Sequence, residues 1–446
     1  MKETITELLA EKKFPELRRT LNEMYPADLA ILLDDFPIEE MILLFRLLSK
    51  DNAAEVFAEM EPDKQEALVT AFSDNELKAV INELFVDDAA DLVDEMPTNV
   101  VKRILKQASP DMRKSINELL KYPDDSAGSI MTTEFVALLG DMTVEEAFDR
   151  IRKTGVDKET IYTCYVTDRD KHLCGVVTVR ELLLAVPESR IRDIMTEHVV
   201  AVRTLEDKES VAEKISRYNF LALPVVDNED RLVGIVTFDD AIDVMEDEAT
   251  EDIEKMAAIT PTDKPYLKTG VWETFGKRIP WLLLLMVSAT FTSGIINTFE
   301  SALSHMVVLT AFIPMLMDTG GNAGGQSSVT IIRALSLGDV EFRDIFRVIW
   351  KEIRVAVLCG VVLSGVNFGK ILLFGESGGS VAVAAVVSIT LLITVIFAKM
   401  VGCILPLLAK KVGFDPAVMA SPFITTVVDA ISLLVYFNVA EAFLHL

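Results

Sequence analysis

Over the first 128 residues apolar side chains recur at i, i+3 and i+4, the spacing of a single buried helical face, so this stretch reads as all helix. Pro15, Pro26, Pro37, Pro62, Pro97, Pro110 and Pro123 mark the turns between short helices. A small-acidic-apolar phrase closed by proline recurs at Ala27 to Pro37, Ala53 to Pro62 and Ala89 to Pro97. Two readings stand for it, stacked hairpins forming a small superhelix or an ordinary irregular helical domain. The pattern changes at residue 129. Ser129-Ile-Met-Thr-Thr-Glu-Phe-Val-Ala-Leu matches Asp193-Ile-Met-Thr-Glu-His-Val-Val-Ala-Val, and each copy continues into an amphipathic helix, Val144 to Arg152 and Ser210 to Arg217. Each copy closes with a strand, a glycine turn and a helix: Leu173-Cys-Gly-Val-Val-Thr-Val-Arg-Glu and Leu232-Val-Gly-Ile-Val-Thr-Phe-Asp-Asp. A helix from Glu251 to Ala258 breaks at Pro261 and leads past Gly270 to long apolar runs. These lie near 280–299, 303–318 (extending to about 336 beyond a glycine-rich break), 353–374, 381–409 and 417–442, and predict five membrane spans.

Composition sharpens this division. Of 446 residues half are hydrophobic, yet the net charge is -26. From Val271 onward 11 basic and 11 acidic residues balance, so 32 basic against 58 acidic residues fall in 1–270. A large acidic soluble part is therefore joined to a neutral membrane part. The acidity argues against nucleic acid and towards cations. The polar N-terminus, Met1-Lys-Glu-Thr-Ile-Thr-Glu, does not read as a cleavable signal, so the soluble part is expected in the cytoplasm. Lys277 and Arg278 precede the first span, Arg333, Arg343, Arg347, Lys351 and Arg354 follow the second, and Lys410 and Lys411 follow the fourth. The connections around Glu300 to Ser304 and Gly375 to Ser380 carry no Lys or Arg, which puts the N-terminus inside and the C-terminus outside a multi-pass cell-membrane protein. Lys370 and Lys399 are exceptions, tolerated by snorkelling or pairing. Cys164, Cys174, Cys359 and Cys403 show neither metal-ligand spacing nor a disulfide pattern and read as reduced packing residues.

The sharpest chemical signal is Asp429, a lone carboxylate inside the last apolar run. At a span centre such a group costs about 2.5 to 3.5 kcal/mol, which points to a water-filled path or a bound cation, with an interhelical hydrogen bond as the alternative. Ser421, Thr425 and Thr426 supply neutral oxygens, and Pro422 is expected to free a carbonyl one turn back. In Pro314 to Gln326, Gly320, Gly321, Gly324 and Gly325 suggest irregular backbone or a helix-packing face, and Asp318, Asn322 and Gln326 offer oxygens. Between Asp227 and Glu254 twelve carboxylates face Arg231 alone, the composition of a divalent-ion site or of a solvated face. No Gly-x-x-x-x-Gly-Lys-Ser/Thr loop occurs, so nothing resembles an ATPase, and transport rather than enzymatic activity is expected.

The duplication at 129–250 resembles a tandem CBS-domain pair. In that family the Gly-x-x-Thr-x-x-acidic phrase can hold adenosine, which implies Thr178 and Thr237 facing phosphate and Glu181 and Asp240 facing ribose, with ATP as the ligand; many such pairs are empty dimerisation modules. The whole chain resembles the MgtE family of magnesium channels or transporters, through the Pro314 to Gln326 phrase, Ser421-Pro-Phe-Ile-Thr-Thr-Val-Val-Asp429 and Glu248-Ala-Thr-Glu-Asp252. The resemblance implies a multidomain homodimer: an all-α N-terminal superhelical domain (1–128), an α+β CBS pair (129–192 and 193–250), a connecting plug helix (251–270) and a five-span all-α transmembrane domain (271–446). It further implies Asp429 as the selective carboxylate, Asp415 at the cytoplasmic mouth, Asn322, Gln326, Ser421, Thr425 and Thr426 lining the pore, and Mg2+ bound by Glu59, Asp91, Asp240, Asp243, Glu248, Glu251 and Asp252. The function expected is Mg2+-selective, Mg2+-gated uptake across the lipid bilayer. The alternatives are a broader divalent carrier for Mn2+ or Co2+ and a nucleotide-sensing receptor without transport.

Overall fold

Among the described residues ten helices of eight to ten residues, α1 (Lys2–Ala10) to α10 (Pro110–Leu119), fill the first segment. The computed structural model describes residues 1–262, 266–267, 269–299, 307–375, 380–419 and 421–444, with the side chains of 157 and 421 excepted. Proline opens these helices rather than closing them. Pro26, Pro62 and Pro110 are first helical residues, and Pro37 and Pro97 are N-caps, positions where a missing N–H breaks no helical bond. A hydrogen-bonded staple recurs at an interval that the proline phrases do not reveal. Asn22 donates to the Arg18 and Leu47 carbonyls and accepts from Ser49 N at 2.7 Å; Asn82 donates to the Lys78 and Gln107 carbonyls and accepts from Ser109 N at 2.7 Å. Each asparagine thereby satisfies backbone groups at the ends of two helices through one side chain. Leu17, Leu21, Leu29, Leu33 and Phe57 are fully buried in the core these helices share.

The duplicated segment folds as two three-stranded sheets. In the first, β1 (Ala137–Leu139) runs parallel to β2 (Thr163–Thr167), which pairs antiparallel with β3 (Leu173–Thr178); in the second, β4 (Val202–Arg203), β5 (Ala222–Val226) and β6 (Leu232–Thr237) repeat that order. The sheets carry α11 (Val144–Thr154), α12 (Val179–Leu184), α13 (Ile191–Ile194) and α14 (Lys208–Tyr218). The Ile-Met-Thr phrases are exchanged between copies. Thr132 bridges Ile235, and Thr196 bridges Val176. This explains Gly175 and Gly234, expected in turns but found inside β3 and β6: a Cβ there would sit 3.0 Å from the Thr196 carbonyl or 2.8 Å from that of Thr132. After β6, α15 (Phe238–Met256) is one 19-residue helix, so the segment from Glu251 is its last turns and not a separate helix.

The chain divides into two units, Met1–Glu246 and Asp247–Leu446. The second contains α16 (Val271–Thr298), α17 (Ile313–Ser336), α18 (Ile345–Phe374), α19 (Val381–Val412) and α20 (Ser421–Leu444). Among the described residues four stretches are long and apolar enough to cross a membrane: Val271–Thr298, Phe342–Phe374, Val381–Val412 and Pro416–Leu444. The expected second span begins in residues that lie outside those described, as do all of the expected connection at Glu300 to Ser304 and most of that at Gly375 to Ser380. Where irregular backbone was one expectation at Gly320 to Gly325, α17 is helical throughout. Its glycines serve packing. A Cβ on Gly402 of α19 would fall on the Gly324 carbonyl, and one on Gly320 would meet Thr394, Val428 and Ser432 within 2.8 to 3.0 Å. Missing side chains thus let α17 lie against both α19 and α20.

Candidate metal centres

In the first unit α8 (Val86–Glu95) presents Asp87, Asp88 and Asp91, and the first turn of α15 presents Asp239 and Asp240. Glu134 accepts from Val86 N at 3.0 Å, at the positive end of α8. Glu159 completes the group, with a buried Oε2 that has no hydrogen-bond partner among the described residues. Burial, then the charges of Asp240, Asp88 and Glu159, push the Asp87 carboxyl well up. Burial followed by Asp240 and Glu59 raises Asp88 to about 6. Burial with Asp88 and Asp240 raises Asp91 to about 7, although its outer surface is open to water. Burial with Asp240 and Asp88 raises Glu159 to about 8, and burial, opposed by the Thr237 hydroxyl, raises Asp240 to about 6. The leading charges acting on Asp87, Asp88, Asp91 and Glu159 are all negative, so near pH 7 the group needs protons or a hard cation, and an all-oxygen donor set suits Mg2+.

Of the residues expected to bind regulatory ions, the structure brings Asp91 and Asp240 together, with Glu59 close enough to act on Asp88 and exposed Asp243 close enough to act on Asp240. Glu248, Glu251 and Asp252 lie further along α15, in the second unit. From sequence, Asp87 and Asp88 are expected with Glu59 and Asp91 among the carboxylates that divalent ions bridge, whereas Glu134 and Glu159 are in no expected binding set. The adjacent pair Asp87-Asp88 was a usable signal; Glu159, in an irregular segment, carried none. The acidic run from Asp227 needs a correction at its start. Asp227 accepts from Glu229 N at 2.8 Å and Arg231 N at 2.9 Å to form the β5–β6 turn, Glu229 pairs with Arg231 at 2.6 Å, and Asp230 pairs with Arg203 at 2.8 Å. These three carboxylates are structural.

At the expected nucleotide phrase each acidic side chain closes on its own threonine. Thr178 caps α12, donating its hydroxyl to Glu181 Oε2 at 2.8 Å and accepting from Glu181 N at 3.2 Å. Thr237 donates both N–H and hydroxyl to Asp240. Asp240 therefore stands at two expected sites at once.

In the second unit Asp429 lies in the third turn of α20, and its buried Oδ1 has no hydrogen-bond partner among the described residues. Asp318 on α17 is close enough for its charge to act on Asp429. Asn322 and Gln326 continue the Asp318 face one and two turns on and line two cavities, a mostly apolar one of about 610 Å3 and a half-polar one of about 770 Å3. Thr425 lies over Gly321, and Thr426 donates to the Pro422 carbonyl at 3.2 Å with its hydroxyl 3.4 Å from Ser288 Oγ. The side chain of Ser421 lies outside those described. Pro422 stands in the first turn of α20, where it frees no helical carbonyl, which corrects the role expected of it.

Asp415 is held from two sides. Its Oδ1 accepts from Ala417 N at 2.8 Å and its Oδ2 pairs with Lys255 Nζ at 2.7 Å, while Lys255 also pairs with Glu251 at 2.6 Å. Burial lowers the Lys255 ammonium's affinity for its proton, but the bonds to Asp415 and Glu251 outweigh it and raise the pKa. Burial, then Asp415, pushes Asp252 up. Met256 packs against Ile332 and Ala417, so the last turn of α15 reaches the base of α17 and α20. Lys255 was missed because the acidic run was read as ending at Glu254.

Family models match most of the chain: an MgtE intracellular N domain over 5–125, CBS domains over 127–188 and 191–247, and a divalent cation transporter domain over 313–439. The magnesium transporter MgtE of Thermus thermophilus is 38% identical over 445 residues, covering 99% of this chain and 98% of its own. That of Bacillus subtilis is 34% identical over 442 residues, with 98% and 96% covered. A crystal structure of the cytosolic domain of the Mg2+ channel MgtE in complex with ATP matches with TM-score 0.53 and 38% identity, covering 55% of this chain and 100% of that one. The soluble part of a magnesium transporter matches with TM-score 0.52 and 32% identity, covering 56% and 98%.

Proposed function

The chain belongs to the MgtE family of magnesium transporters, and from that premise we propose that it is a homodimeric, Mg2+-selective uptake channel of the cell membrane, closed by Mg2+ on its acidic cytoplasmic part. The observation that carries the transport reading is Asp429: a carboxylate with an orphaned buried oxygen, on an apolar helix, within electrostatic reach of Asp318. Such a group implies a cation or water in its surroundings. Mg2+ dehydrates reluctantly, so one carboxylate per subunit, with Asn322, Gln326, Thr425, Thr426 and Ser421 as neutral oxygens, is suited to hold a largely hydrated ion. In this reading α17 is the fifth span, its glycines packed inward and its polar face turned to the path, with the N-terminus cytoplasmic and the C-terminus external. Asp415 stands at the cytoplasmic mouth, and the end of α15, carrying Glu248, Glu251 and Asp252, acts as the plug.

The regulatory ions are assigned to Glu59, Asp91, Asp240 and Asp243, joined by Asp87, Asp88 and Glu159, because the leading charges acting on Asp87, Asp88, Asp91 and Glu159 are all negative. ATP is assigned to the CBS pair by analogy with the ATP-bound relative, with Thr178 and Thr237 towards phosphate and Glu181 and Asp240 towards ribose. Its binding requires both carboxylates to release the threonines they now engage.

The test is flux through the purified protein in liposomes. Mg2+ should enter in preference to Ca2+ or Mn2+, and Asp429→Ala should abolish entry while the protein stays a monodisperse dimer. Undiminished Mg2+-selective flux in that variant removes Asp429 from the path.

A further inference from the structure

Glu352 on α18 and Lys399 on α19 are 9% and 5% exposed, and among the described residues no other charged side chain is buried so far. Ser327 on α17, 2% exposed, joins them: its hydroxyl donates to Glu352 Oε2 at 2.7 Å and accepts from Lys399 Nζ at 3.3 Å. A hydroxyl has one proton, so the relay runs in one direction, from ammonium to carboxylate, and each bond polarises the next. Three helices thus meet at a chain of charge that the Asp429 path does not use.

Lys399 also stands where two cavities adjoin. The larger, about 770 Å3, is lined by Ser327, Thr330 and Glu352; the smaller, about 610 Å3, by Asp318 and Thr319 on one side and by apolar Leu358, Val362 and Leu363 on the other; Asn322, Gln326 and Lys399 wall both. Amide, hydroxyl and carboxylate oxygens around one positive charge form the donor set of a hard-cation site. Here the cation is the chain's own. An ion moving from the Glu352 side to the Asp318 side would have to pass the fixed ammonium, and in a low-dielectric wall that repulsion far exceeds its value in water.

We propose that Lys399 is a selectivity residue, a tethered cation that fills a side branch leading from the Asp318–Asn322–Gln326 face of the Asp429 route towards Glu352, and so confines free divalent ions to the route beside Asp429. The idea rests on the transport reading. A purely structural role, pinning α17, α18 and α19 together, makes a different prediction: loss of Lys399 would weaken packing and create no ion site.

The experiment uses the full chain, with Mn2+ alone as the probe and bound Mn2+ counted by electron paramagnetic resonance. Lys399→Gln should add about one Mn2+ per chain over the parent, Lys399→Arg should add none, and Lys399→Gln/Glu352→Gln should lose the added ion. In liposomes Asp429→Ala/Lys399→Gln should carry divalent flux above the leak of empty liposomes, whereas Asp429→Ala alone should not. Should Lys399→Gln not fold, Lys399→His prepared near pH 5.5 retains the charge and loses it on moving to about pH 8, where the added Mn2+ should appear against a wild-type control. An unchanged count in every folded variant, or an added ion that survives Glu352→Gln, overturns the proposal. Absence of wild-type flux in the same liposomes would instead count against the transport reading and leave the Mn2+ count to judge Lys399.

Discussion

At Glu159 a carboxylate sits among other carboxylates, and its charge is tolerated only if something positive arrives. The raised values at Asp88, Asp91, Asp240 and Glu159, about 6, 7, 6 and 8, make this measurable. In the unfolded chain these groups titrate near 4, so between about pH 4 and 8 the folded form binds more protons than the unfolded one. Their contribution to stability is therefore fully present below about pH 4 and is lost as pH rises through 6 to 8. In EDTA the unfolding temperature of the first unit should fall across that window, and millimolar Mg2+ should flatten the fall. Glu159→Gln or Asp88→Asn should raise Tm in EDTA near pH 8 by about 2–4 °C each, the shift that roughly 1 kcal/mol gives a unit of this size. Thermal scans at several pH values decide it; a profile indifferent to pH and to Mg2+ would mean that the cluster is neutralised in another way. Asp91 and Asp240 were legible beforehand through resemblance to a family. Glu134 and Glu159 were not, because they approach α8 only after the sheets form, and nothing in their local sequence marks that approach.

Among the elements, α17 shows where reading by composition reaches its end. Four glycines in six residues signalled either broken backbone or close packing, and only the helices beside it decide between them. Because a Cβ on Gly402 would meet the Gly324 carbonyl, which is backbone and cannot rotate aside, Gly402→Ala should cost about 1–3 kcal/mol and lower Tm in detergent. Gly365 on α18 has nothing within 4 Å of a built Cβ, so Gly365→Ala should be neutral or stabilise by up to about 1 kcal/mol through helix propensity. Equal effects at the two positions would remove close helix approach as the reason for glycine. Helix periodicity in 1–128 and the two-copy α+β pattern were both readable, since local spacing determines them. The staples at Asn22 and Asn82 were not, because each ties helices whose sequence separation exceeds any local pattern. For the same reason α15 could be foreseen only in pieces: its acidic length looked like a boundary but is one continuous helix.

For the whole molecule the division of charge is what the proposed gating rests on, with all of the -26 carried ahead of Val271 and the segment beyond it neutral. Without cations the carboxylates of Glu59, Asp88, Asp91, Glu159 and Asp240 repel one another, and in the proposed gating divalent ions that bridge them would draw the first unit's elements together. The end of α15 is the lever available, since Glu251 and Asp415 already share Lys255 and Met256 already packs on Ala417. Moving a two-state gate from 1:99 to 99:1 takes about 5.5 kcal/mol of differential binding, while one ion at tenfold above its Kd for the closed form alone supplies roughly 1.4 kcal/mol. About four ions therefore suffice, a number that two subunits with such clusters can hold. Two measurements then bear on the gate. Mg2+ titrated into the purified protein should protect the 250–270 linker from protease, and a chain lacking residues 1–128 should keep Mg2+ flux while losing its inhibition by cytoplasmic-side Mg2+. Lys255→Ala should leave Asp415 and Glu251 without their shared ammonium and shift inhibition to higher Mg2+, because part of the closed state's contact is removed. If Mg2+ gives no protection and the truncated chain remains as inhibited as the full one, closure does not arise from the acidic part, and the pore itself must carry the inhibitory site.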